Sequence, residues 1–133
     1  MKFPVFDLHC DTAFAILNSD FDDTVSLRKN PYHIDLERAG ELPGYAQCFA
    51  CFTSDSETLP LKLSPEAIFT RELAGILGQI RKNYEIISQA FNAEDVESNL
   101  SAGRMSGILT LEGTAGIGFD PELLQALYEH GFR

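Results

Sequence analysis

The chain has 133 residues, 44% of them apolar and ten of them phenylalanine, enough to build the core of one domain across 1–133. Ten basic against twenty acidic residues give a net charge of −10, which repels phosphate backbones and anionic lipid and argues against nucleic acid and membrane surfaces as partners. No apolar run approaches the roughly 20 residues that cross a bilayer, and the opening MKFPVFDLHCDT is acidic where a secretory leader needs an unbroken apolar stretch, so a cytoplasmic location is expected.

Val5 to Asp11 reads as a strand. Strict alternation puts Asp7, His9 and Asp11 on one face and Phe6, Leu8 and Cys10 on the other, one side polar and the other greasy. TAFAILN then opens a helix. Residues 19 to 35 are polar and irregular. Within them Asp20, Asp22 and Asp23 resemble a calcium loop without the glycine and distal glutamate it requires, and His33 reads as a surface residue that could point at a nearby site. A short helical piece, Leu36 to Ala39, precedes GYAQCFACF, an apolar run of strand length that follows the turn signals Pro43 and Gly44 and is expected to be buried on both faces. Cys48 and Cys51 have the spacing of a metal or redox pair, but residues three apart on a strand face opposite ways, so buried reduced thiols are expected.

Ser64 followed by Pro65 is a helix start, and Phe69, Leu73, Ile76, Leu77, Ile80 and Tyr84 then mark one apolar face of a helix of about five turns. A short apolar piece, Glu85 to Ile87, leads to a helix opened by Asn92 and closed near Gly103. Gly107 to Glu112 is the third good strand. Asp120, Pro121 and Glu122 cap a last helix with Leu123, Leu124 and Leu127 on its buried side, Gly131 is placed to stop it, and His130 near its end suits the helix dipole. Strands alternating with helices, the strands apolar enough to need cover on both faces, predict a parallel α/β fold.

In such folds sites gather at the carboxyl ends of strands. The first strand ends in His9-x-Asp11, and the third ends in Glu112 after five uncharged residues. A carboxylate so placed needs a hydrogen bond, a partner charge or a cation, since burying it bare costs several kcal/mol. Imidazole nitrogen with carboxylate oxygen suits zinc, and also manganese or iron; a histidine satisfied inside the core and an exposed loop glutamate are the plainer alternative. EGTAGIG, from Glu112 to Gly118, sits where a phosphate loop would lie but lacks its lysine and glycine spacing, so these glycines are expected to let the chain leave the strand tightly.

Together DLHCDT, IDLERAGELPGYAQCFACF and GILTLEGTAGIGFDPELLQALYEHGFR resemble the renal or membrane dipeptidase family, zinc peptidases on a (β/α)8 TIM barrel. The resemblance implies that His9 and Asp11 supply two ligands to one metal, that Glu112 bridges two metals, and that Asp7 supports them from the same face, with no catalytic residue separate from the ligands. It implies a dipeptide substrate whose peptide carbonyl is attacked by a water bridging two zinc ions roughly 3.5–4 Å apart. Family members run longer, and the remaining ligands and the substrate-holding arginine belong to the part that has no counterpart here. The chain alone would coordinate at most one ion well and be inactive or nearly so. Three long strands cannot close an eight-stranded barrel, so the expectation is the N-terminal part of a longer enzyme, completed by the remainder of the barrel in the same or another chain. The alternatives are a non-catalytic barrel piece acting through assembly with another chain, possibly as an oligomer, and another barrel amidohydrolase. Asp11 counts against the last, which usually begins with His-x-His.

Overall fold

The computed structural model describes residues 3–19, 25–54 and 63–133. The acidic residues Asp20, Asp22 and Asp23 lie outside the described residues. Four strands, β1 (Val5–Cys10), β2 (Tyr45–Phe52), β3 (Ile87–Gln89) and β4 (Met105–Glu112), form one parallel sheet in the order β1-β2-β4-β3. Parallel neighbours need crossovers, and these carry α1 (Thr12–Asn18), α2 (Leu36–Ala39), α3 (Pro65–Lys82) and α4 (Ala93–Ser101), while α5 (Pro121–Glu129) follows β4.

The helix starts are those the capping chemistry demands. Ser64 Oγ accepts from the Ala67 amide at 3.3 Å ahead of Pro65, and Asn92 Oδ1 accepts from the Asp95 amide at 2.8 Å. Asp120 Oδ1 accepts from the Glu122 amide, also at 2.8 Å.

The two central strands, β2 and β4, are covered on both sides. Phe49 and Cys51 of β2 and Leu109 of β4 pack with Ile16 of α1 and Phe69, Ile76 and Ile80 of α3 in the larger core cluster. Ala46, Cys48 and Ile108 alternate to the other face, where they meet Val96 of α4 and Ala90, the residue after β3. The strand order explains this split. From β3 the chain steps back to β4, and a right-handed crossover taken in that reverse sense places its helix on the opposite side of the sheet from α3.

Three expectations about burial are corrected. Of the greasy side of β1 only Cys10 is buried: Phe6 is 54% and Leu8 76% exposed, on the edge strand of the sheet. On α5 only Leu127 is buried, while Leu123 and Leu124 stand exposed. That helix is held through Leu127 and the residues just after it: Phe132 forms a parallel bridge to Leu109, and the Arg133 amide donates to the Leu109 carbonyl at 2.9 Å. Tyr84 falls beyond the end of α3 and is exposed instead of completing its apolar face. None of the described helices is long and apolar enough to cross a membrane.

Candidate metal centre

β1 does not alternate strictly. Val5, Phe6 and Asp7 pair in register with Tyr45, Ala46 and Gln47, but the next pair is Cys10 with Phe49, so two residues of β1 oppose one of β2. This β-bulge re-aims the chain, as bulges do beside sites. Asp7 and Cys10 therefore share the side of Gln47 and Phe49, and the expected polar face of Asp7, His9 and Asp11 is broken between Asp7 and His9. The bulge is braced from within. Asp7 Oδ1 accepts from the His9 amide at 3.2 Å and Asp7 Oδ2 from the Tyr45 hydroxyl at 3.3 Å. Tyr45 also meets Gln47 Oε1, and Gln47 donates to the carbonyls of Asp7 at 3.4 Å and Cys48 at 2.9 Å. Burial, then the neighbouring Asp7 charge, pushes the Tyr45 phenol up, so it stays a neutral donor.

Beyond the bulge the side chains converge. His9 Nε2 lies 3.2 Å from Asp11 Oδ1 and 3.7 Å from Glu112 Oε2, and one ligand atom from each of the three falls within 4.8 Å of the others. Glu112 is carried there by β4, paired with Phe52 of β2, while its carbonyl accepts from the Thr53 amide at 2.9 Å. The chain then turns away at Gly113, whose φ of +82° and whose missing Cβ, which would fall 2.2 Å from the Thr53 carbonyl oxygen, both demand glycine. The Gly116 amide donates to Thr53 Oγ1 at 2.9 Å, which packs the following turn, Ala115–Ile117, against the end of β2. The glycines after Glu112 thus serve a tight exit from the strand.

Among the described ion pairs, lysine and arginine serve Glu37 and Asp35, and the charges of Asp11 and Glu112 face only His9. Two carboxylates and an imidazole gathered without a lysine or arginine partner among the described residues make a donor set that fits a divalent cation, with the nitrogen and oxygen ligands zinc accepts.

Two features escaped sequence reasoning. The loop before α2 is built rigidly: Asp35 takes the Arg38 amide and guanidinium, each at 2.8 Å, and Arg38 Nη2 donates to the Tyr32 carbonyl at 2.6 Å. Asn30 donates to the carbonyls of Ser26 at 3.0 Å and Ile34 at 2.9 Å. This frame holds Tyr32 and His33 on the wall of a cleft of about 340 Å³ whose other wall includes Asp7, His9 and Asp11, so His33 is exposed, as expected, and faces the site. The second is Glu72 of α3, buried on the helix's apolar side with neither carboxyl oxygen hydrogen-bonded among the described residues. Burial pushes its carboxyl up to about 8; the Phe52 backbone offsets part of this, and the charges of Asp11 and Glu112 add to it. The sequence held a signal for it: an acid three residues after Phe69 and four before Ile76 lies within the apolar stripe. The three cysteines are free and buried, with Cys48 and Cys51 on opposite faces of β2 as alternation required.

The family model described as membrane dipeptidase, peptidase family M19, matches residues 1–133. The chain belongs to the membrane dipeptidase family. No curated protein matches it. Among solved structures it is similar to a metallopeptidase from Rhodobacter sphaeroides liganded with a phosphinate mimic of the dipeptide L-Ala-D-Ala, at 21% identity and a TM-score of 0.77, over 100% of this chain and 44% of that one. A second dipeptidase, a family M19 metallopeptidase, gives 22% identity and a TM-score of 0.75 over 98% of this chain and 43% of that one. A probable dipeptidase, PvdM from Pseudomonas aeruginosa, gives 18% identity and a TM-score of 0.70 over 99% and 32% of the two chains. The parallel βα units of this membrane dipeptidase family member are therefore part of a TIM-barrel-like fold, and the chain spans less than half the length of those relatives.

Proposed function

We propose that the chain supplies the first ligands of the metal centre of a zinc dipeptidase that hydrolyses the peptide bond of dipeptides. The observation that carries this reading is the meeting of His9, Asp11 and Glu112 at the carboxyl ends of β1 and β4 in a member of this family. His9, Asp11 and Glu112 would hold one ion and Glu112 would also reach a second, so that this chain alone coordinates at most one ion well. Bound zinc supplies a Lewis acid and lowers the pKa of water toward neutrality.

The chain's own residues prepare that chemistry. Asp7 Oδ1 accepts from the His9 amide and so braces the main chain that carries the imidazole. Asp11 Oδ1 faces His9 Nε2 and keeps the acidic end of the site on the cleft, where Tyr32 and His33 form the opposite wall and leave room for a small peptide. The exposed Phe6 and Leu8 of the β1 edge, with Leu124 and Tyr128 of α5, favour the remainder of a barrel, in the same or another chain, as the partner that covers them.

The test is hydrolysis of a panel of dipeptides by the full-length protein loaded with zinc. Activity abolished by chelation and by His9→Ala is the expected result. Absence of hydrolysis by the loaded protein overturns the reading and returns weight to an assembly role without catalysis.

A further inference from the structure

Tyr45 and Gln47 bring a hydroxyl and an amide into β2, and the packing of that strand requires neither. In YAQCFACF they stand two apart on one face, 9% and 0% exposed, at positions an apolar side chain would fill with no polar group to desolvate. Their polar atoms go chiefly to one residue of the neighbouring strand. The Tyr45 hydroxyl sits between Asp7 Oδ2, at 3.3 Å, and Gln47 Oε1. Gln47 Nε2 donates to the Asp7 carbonyl at 3.4 Å and to the Cys48 carbonyl at 2.9 Å. Asp7 is thus gripped by side chain and main chain alike, at the residue where the register of β1 on β2 breaks.

Asp7 passes that grip on. Its other oxygen, Oδ1, accepts from the His9 amide at 3.2 Å, so the backbone carrying the imidazole is tied to the buried face of β2. His9 depends on such a tie. It lies on an edge strand with its side chain 54% exposed, and among the described residues its ring makes polar contacts only to Asp11 and Glu112. A ligand left free to move must be ordered when the cation binds, and that ordering opposes binding. We propose that Tyr45 and Gln47 are positioning residues of the metal centre: they touch no metal, and they strengthen cation binding by locking Asp7 and the bulge that sets His9 against Asp11 and Glu112. This rests on reading those three as metal ligands.

The experiment measures zinc affinity of the whole protein by competition with a chromophoric chelator. Tyr45→Phe removes only a hydroxyl and Gln47→Leu replaces an amide by an apolar group of similar size; each is expected to weaken zinc binding roughly tenfold, the low end for groups that orient a ligand from behind. Ser106→Ala is the control for lost stability, since it breaks the buried bond from Asn99 Nδ2 to Ser106 Oγ, 3.1 Å long, at the opposite end of β4 from Glu112. It should leave zinc affinity unchanged. Asp7→Ala completes a double-mutant cycle: with Asp7 gone, the loss caused by Tyr45→Phe should disappear. Wild-type affinity in Tyr45→Phe or Gln47→Leu, an equal loss in Ser106→Ala, or a Tyr45→Phe effect undiminished beside Asp7→Ala overturns the positioning role and leaves the ligand assignment intact. Zinc binding that His9→Ala does not weaken overturns the ligand assignment and this role with it. Should Gln47→Leu not fold, Tyr45→Phe and its cycle with Asp7→Ala decide the proposal.

Discussion

Replacing Gly113 by alanine tests how the chain leaves the strand that carries Glu112. Two separate penalties meet at this position. The φ of +82° is a left-handed conformation, which costs an L-residue about 1–2 kcal/mol. In addition, the new Cβ would lie 2.2 Å from the Thr53 carbonyl oxygen, a backbone atom that cannot swing aside as a side chain would. Relieving that overlap moves β4 against β2 and is worth about 1–3 kcal/mol more by the scale of overpacked sites, giving about 2–5 kcal/mol in all. Gly103 provides the control, since its φ of +71° is similar while nothing lies within 4 Å of its Cβ position. Gly103→Ala should cost only the conformational part, about 1–2 kcal/mol. Urea unfolding of the metal-free protein, followed by circular dichroism, reads both, and the difference between the variants isolates the close approach to Thr53. Because Glu112 is the next residue, Gly113→Ala should also weaken zinc binding and Gly103→Ala should not. Equal loss of stability in the two variants would refute the argument.

Glu72, whose folded value is raised from 4.5 to about 8 by burial first, contributes stability that is complete below 4.5 and is lost as pH rises through about 8. At about 1.4 kcal/mol per pH unit the loss amounts to at most roughly 4–5 kcal/mol, so metal-free protein should unfold at lower urea at about pH 8 than at about pH 5, and Glu72→Gln should flatten that dependence. Asp35→Ala removes the acceptor of the Arg38 amide and guanidinium and should cost about 2–4 kcal/mol in the same assay. Burial would raise Asp35, but its hydrogen bonds from Arg38 and Asn30 win and hold it below 3.8, so its contribution is present above that value and is lost on acidification below it. Cys51, pushed up to about 12 by burial and by the Glu72 charge, should resist iodoacetamide at neutral pH until the protein is unfolded, as followed by mass spectrometry.

Much of this fold was legible in the chain because local chemistry is encoded locally. Ser64-Pro65, Asn92 and Asp120 each satisfy amides within three residues of themselves, so helix starts could be read directly. The apolar runs of β2 and β4 announced strands covered on both sides, and the carboxyl ends of strands were the right place to look for His9, Asp11 and Glu112. Other features depended on pairing between distant segments. The bulge between Asp7 and Cys10 exists only in the register of β1 against β2, so alternation alone put Asp7 with His9. The exposure of Leu8 and Leu124 depends on which elements stand beside β1 and α5, and no residue near them in sequence carries that information.

The sequence by itself determined the parallel α/β class, the caps and the central strands, since each follows from periodicity or chemistry within a few residues. Only the tertiary structure decided that α4 crosses to the opposite face, that His9, Asp11 and Glu112 converge, that His33 lines the cleft and that Glu72 lies buried. Those facts depend on strand order and on contacts spanning many tens of residues, where the short periods of helix and strand carry no signal.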